Sequence, residues 1–128
     1  MGGKAVEVRR AVAELEPRGF QAVAVIGGTG APQYLWDSAP VTGAVAQVSR
    51  HGGLAAAICY GVVVLARAGV LVGRRATGYP AARVDIELRR GGARPTPADV
   101  VRDGSVVSAS GPEAAAAFAR TVLQALVP

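Results

Sequence analysis

A single cysteine and a single histidine among 128 residues exclude the chemistries that need several of either. One thiol cannot close an internal disulfide, and no Cys/His cluster with metal-ligand spacing exists, so neither a disulfide scaffold nor a metal site is expected. Aromatic residues make up only 5% of the chain, too few for the stacking platforms of single-strand and RNA binders. The net charge of +5 comes from arginines scattered in ones and twos, such as Arg9-Arg10, Arg74-Arg75 and Arg89-Arg90. That is a solvated arginine-rich surface rather than a basic stripe, and no nucleic-acid partner is expected. The opening MGGKAVEVRR lacks the apolar stretch of a signal peptide, so the expected compartment is the cytoplasm. One long apolar run, Gly52 to Gly73, approaches the roughly 20 residues of a spanning helix. Arg67 and the glycines at 52, 53 and 61 interrupt it, so no membrane association is expected. No organic cofactor is implied either.

What is present reads as one domain over residues 1–128, with a single core and neither linker nor repeat. The run FQAVAVI, residues 20–26, predicts a buried strand that ends in Gly27-Gly28-Thr29-Gly30, where the backbone bends tightly or approaches another group. Ser38 is placed as an N-cap and Pro40 in the first turn of a helix whose Val41, Ala44, Val45 and Val48 recur at helical spacing up to Arg50. GLAAAI (53–58) predicts a second buried strand, and YGVVVLARA (60–68) a helix closed by Gly69. A short strand at 74–78, a helix from Pro80 to Arg90 and a hairpin over 99–109 turning at Asp103-Gly104 follow. Pro112 opens a last helix, with Ala116, Phe118, Ala119, Val122, Leu123 and Leu126 as its expected buried face. Strands alternating with helices, in runs without strict polar alternation, predict a mostly parallel sheet with helices on both faces.

Cys59 falls where the second strand meets its helix. A sharp strand-to-helix turn exposes its residue above the sheet, beside free backbone N–H groups and the positive end of the helix dipole, where a thiolate is favoured. Ala57-Ile58-Cys59-Tyr60-Gly61 has the form of such a nucleophile elbow, small two residues before and glycine two after. The residues alone leave a second reading open, a buried inert cysteine in a core strand. The glycine loop after the first strand does not meet the phosphate-binding fingerprints. It reads as a plain turn or as a source of N–H groups over Cys59, an oxyanion-stabilising task.

Taken in order, AVAVIGGTGAPQYLWDSAP, AAAICYGVVVLARAGVLVGRRATGYP and DVVRDGSVVSASGPEAAAAFARTVLQAL resemble the ThiJ/PfpI superfamily, the intracellular-protease and Parkinson-disease-protein branch of the class I glutamine amidotransferase-like fold. The resemblance implies an α/β, flavodoxin-like three-layer sandwich with a mostly parallel sheet. It implies a catalytic nucleophile at Cys59, oxyanion donors near Gly28 and Tyr60, and an oxyanion and pocket wall of Gly27, Gly28, Tyr60 and Tyr79. Many members carry histidine directly after the cysteine, and others just before the proline of Tyr79-Pro80; here both positions are tyrosine, a poor proton acceptor at neutral pH. His51 precedes the elbow strand, and a strand of this length spans roughly 17–23 Å, so it is not expected to reach Cys59 within one subunit. Family members open with a strand, a helix and a strand that bring a glutamate to the cysteine. The match begins after that opening, so the chain is expected to be N-terminally truncated relative to the family. Glu7, Glu14 and Glu16 are read as solvated surface.

The resemblance implies a small-molecule or peptide substrate, homo-oligomers, and a cysteine-dependent hydrolase, glyoxalase or deglycase acting on small electrophiles or amide bonds. A redox-responsive or chaperone-like protein using the same cysteine, and a catalytically silent relative, are the alternatives.

Overall fold

The computed structural model describes residues 22–27 and 36–126. At its centre is β2 (Leu54–Cys59), LAAAIC, with all six residues buried. Small and branched apolar side chains without a polar alternate suit a strand covered on both faces. On one side β1 (Ala22–Gly27) runs parallel to it, in register from Ala22 opposite Leu54 to Gly27 opposite Cys59. On the other side β6 (Val106–Ala109) is also parallel, from Ala55 opposite Val106 to Ile58 opposite Ala109. β5 (Val100–Asp103) closes the sheet antiparallel to β6, giving the order β1-β2-β6-β5. The hairpin between them turns at Gly104, whose φ of 65° is in the left-handed region. A separate parallel pair joins β3 (Arg75–Ala76) to β4 (Arg94–Pro95). This is the α/β, flavodoxin-like architecture with a mostly parallel sheet.

Helix α1 (Ala39–Arg50) starts where Ser38 Oγ accepts a hydrogen bond from the Val41 N–H, and it buries Val41, Ala44, Val45 and Val48. Helix α2 (Val62–Arg67) is only six residues long, with five of them buried, and Gly69 at φ 82° ends it. Helix α3 (Ala82–Arg90) buries Val84 and Leu88. A 3₁₀ turn, Pro112–Ala114, leads into α4 (Ala115–Leu126). Among the described residues no helix is long and apolar enough to cross a membrane.

Two elements differ from the sequence expectation. The buried face of α4 is narrower: Phe118 is its one fully buried residue, Val122 and Ala125 pack partly against the core, and Leu123 is 61% exposed. Six apolar positions spread over more of the helix circumference than one sheet contact can cover, and the seam follows 118, 122 and 125. The pairing of Arg94-Pro95 with β3 has no sequence signal, because a two-residue ladder shows no periodicity.

Candidate functional site

The elbow forms at the C-terminal end of β2. Cys59 has φ 63° and is the one non-glycine residue with positive φ among the described residues. A side chain there costs roughly 1–2 kcal/mol, so the surrounding structure holds the turn against a local preference. Gly61 shows what the turn demands. A Cβ on it would lie 2.6 Å from the Val25 carbonyl oxygen and 3.1 Å from that of Ile58, backbone atoms that cannot yield cheaply. The Gly61 N–H donates to the Ile58 carbonyl at 3.0 Å, closing the turn before α2 begins. The Tyr60 N–H has no hydrogen-bond partner among the described residues.

Of the residues singled out in the sequence, the fold gathers four. Gly27 is the register partner of Cys59 at the ends of adjacent parallel strands. The Tyr79 N–H approaches the Cys59 carbonyl at 3.4 Å, and the Tyr79 ring stacks on Tyr60 with centroids 4.8 Å apart. Gly78 makes this approach feasible, since a Cβ there would meet Val62 Cγ2 at 2.4 Å. Gly28, Glu7, Glu14 and Glu16 lie outside the described residues. His51 caps the C-terminus of α1, its Nδ1 2.9 Å from the Gln47 carbonyl, at the opposite end of β2 from Cys59. The Cys59 residue is 8% exposed. A cleft of about 870 Å³ opens beyond Tyr79, walled by Thr77, Val84, Leu88, Pro97 and Glu113. Cys59 is not on its wall. No group of three potential metal ligands occurs among the described residues.

A second shell of contacts had no sequence signal because it is entirely tertiary. Trp36 Nε1 donates to the Tyr60 carbonyl at 2.9 Å, tying the approach to α1 onto the elbow. Arg67, at the end of α2, grips Glu87 through two bonds of 3.0 and 2.8 Å, Asp37 at 2.9 Å and the Trp36 carbonyl at 3.1 Å. The Arg67 guanidinium holds the Glu87 carboxyl below the usual carboxylate range, chiefly by hydrogen bonding, and burial only partly offsets this. Arg83 lies over two rings, its Cζ 5.2 Å from the Tyr60 centroid and 5.7 Å from that of Trp36. Deeper in, the Thr77 N–H donates to Ser108 Oγ at 3.0 Å and Thr77 Oγ1 to the Ala98 carbonyl at 2.8 Å, which fixes the segment leading to Tyr79.

A mostly parallel α/β sheet whose central strand ends in a left-handed cysteine, followed at once by a helix, has the strand-turn-helix form of an elbow. A match to the DJ-1/PfpI family spans residues 1–125. The chain belongs to the DJ-1/PfpI family. It is 36% identical over 126 residues to MJ0967, an uncharacterised protein of Methanocaldococcus jannaschii, covering 98% of this chain and 62% of that one. It is 34% identical to the deglycase PYRAB04690 of Pyrococcus abyssi, over 86% of this chain and 64% of the relative. The crystal structure of a ThiJ/PfpI domain protein from Brachyspira murdochii superposes with a TM-score of 0.83 at 30% identity, over 90% of this chain and 65% of the other. The chain thus spans about two thirds of the length of these relatives.

Proposed function

We propose that this protein is a cysteine-dependent enzyme acting on small electrophilic carbonyl compounds or their adducts, in the manner of a glyoxalase, deglycase or related hydrolase, with Cys59 as nucleophile. The observation that carries the reading is the left-handed backbone of Cys59 at the end of β2. A residue used only to fill the core gains nothing from that strain, whereas a nucleophile gains a position above the sheet beside free N–H groups. In the first step the Cys59 thiol releases its proton to solvent, the thiolate sulfur forms a bond to a carbonyl carbon, and the C=O π pair moves onto oxygen. The oxyanion role of the Tyr60 N–H and of Gly27 is supported by the register of Gly27 opposite Cys59 and by the lack of a Tyr60 N–H partner among the described residues. The Tyr79 hydroxyl, on a ring stacked against Tyr60, can donate to substrate oxygens. The name deglycase borne by the Pyrococcus abyssi relative agrees with this substrate class.

A second reading uses the same cysteine for reversible oxidation rather than turnover. It is favoured by tyrosine at both positions flanking the thiol, since oxidation to a sulfenic acid needs no protein base. Incubation with methylglyoxal separates the two. Consumption by the wild type that Cys59→Ala abolishes is the expected result. Absence of turnover, together with peroxide-dependent oxidation of Cys59, would overturn the enzymatic reading in favour of the second.

A further inference from the structure

The first turn of a helix disfavours cations, because its unpaired N–H groups already give it partial positive charge. Arg83 nevertheless occupies the second position of α3. Its ordinary partner would be Glu87, one turn along the same helix face, but both Glu87 carboxylate oxygens are taken by Arg67. Arg83 makes no ion pair among the described residues. Its guanidinium instead lies over Tyr60 and Trp36, and the residue is exposed to solvent. Tyr60 follows Cys59 directly, and its ring stacks on Tyr79, whose N–H reaches the Cys59 carbonyl. Arg83 is therefore a cation with no ion pair among the described residues, packed on the ring of the residue that directly follows Cys59. Asp37 and Glu87 are engaged by Arg67 and Asp85 by Arg89 at 2.8 Å, whereas Glu113, on the wall of the cleft beyond Tyr79, makes no ion pair among the described residues.

We propose that Arg83 is a specificity-determining residue that draws small electrophiles bearing a carboxylate to Cys59, glyoxylate being the simplest carbonyl compound of that kind. The proposal rests on Cys59 as the reactive group, and it assigns the class of substrate that group prefers. Aromatic packing against Tyr60 and Trp36 holds the guanidinium by its face and leaves its in-plane N–H donors free for a carboxylate.

The test compares two alkylating agents that differ only in charge at the same size, iodoacetate and iodoacetamide. With either, the Cys59 sulfur forms a bond to the CH₂ carbon, iodide leaves with its electron pair and the thiol proton passes to solvent. The measured quantity is the ratio of the two rates, followed by intact mass on the folded protein at low ionic strength. Arg83→Gln is expected to lower the iodoacetate-to-iodoacetamide ratio by about threefold to tenfold, and the difference should shrink in 1 M salt, where screening acts within about 3 Å. Arg83→Lys should keep most of the ratio, and Arg90→Gln, which removes the same charge at the far end of α3, should leave it unchanged. An unchanged ratio in Arg83→Gln would overturn the proposal and leave Arg83 as packing for two rings. A ratio that rises would overturn it in favour of cationic substrates drawn by Glu113 on the wall of the neighbouring cleft, and failure of both reagents to label Cys59 would overturn it as well. A lowered ratio without methylglyoxal turnover by the wild type would uphold Arg83 as an anion guide while removing the enzymatic reading.

Discussion

At Cys59 two requirements conflict, and the conflict is measurable. The proposed chemistry requires the side chain, whereas the backbone at φ 63° suits glycine. In an ordinary strand position alanine is more stable than glycine by about 0.5–1 kcal/mol. Here the order should reverse: Cys59→Gly should be more stable than Cys59→Ala by about 1 kcal/mol, measured by urea unfolding, while both lack activity. Alanine above glycine would mean that the turn is not held in solution. The position of the cysteine was legible from Ala57-Ile58-Cys59-Tyr60-Gly61, because the turn needs small neighbours and Gly61 has backbone oxygens where a Cβ would stand. Arg83 and Trp36 were not legible as neighbours of Tyr60. They lie 23 and 24 positions away in sequence, and only tertiary packing joins them.

Among the elements, α1 was readable almost to the residue. Its cap, its proline and its four valine and alanine contacts are local signals that agree with one another. The rotation of α4 was not, because an alanine-rich helix has apolar residues on most sides and only the sheet selects which are covered. The joining of α2 to α3 rests on a pair that is likewise tertiary, Arg67 with Glu87. Because the folded Glu87 carboxyl ionises at lower pH than the unfolded one, its contribution to stability is complete above about pH 5. It declines as the pH falls below the unfolded carboxylate value of about 4.3 towards the lower folded one. Glu87→Gln should therefore melt several degrees below wild type at pH 7, and the gap should narrow as the pH falls below the unfolded carboxylate value of about 4.3. A gap that is constant over that range would show that the pair contributes through packing alone.

For the whole molecule, the described elements share one continuous hydrophobic cluster running from Val25 through β2 and α2 to Phe118, and we propose that they form a single folding unit. Among the described residues β1 has no strand on its outer side, and its sequence is unlike that of a protected edge strand. AVAVIG carries no charge and no proline, and Ile26 is 57% exposed. Self-association is the expected consequence, and sedimentation at micromolar concentration should give at least a dimer; a monomer at that concentration would remove this expectation. The mostly parallel sheet was legible from alternating strand and helix signals, whereas the order β1-β2-β6-β5 was not, since an apolar run reads the same whichever strand lies beside it.

We propose that Cys59 is a reactive group presented by the fold and not a core cysteine that happens to end a strand. Its alkylation by iodoacetamide should be followed by intact mass in buffer and in urea at one pH, where the single thiol of the chain makes every mass shift unambiguous. A folded-state rate equal to or above the unfolded rate is predicted. A folded-state rate about a hundredfold or more below it, as expected for a thiol reached only by unfolding, would contradict the account.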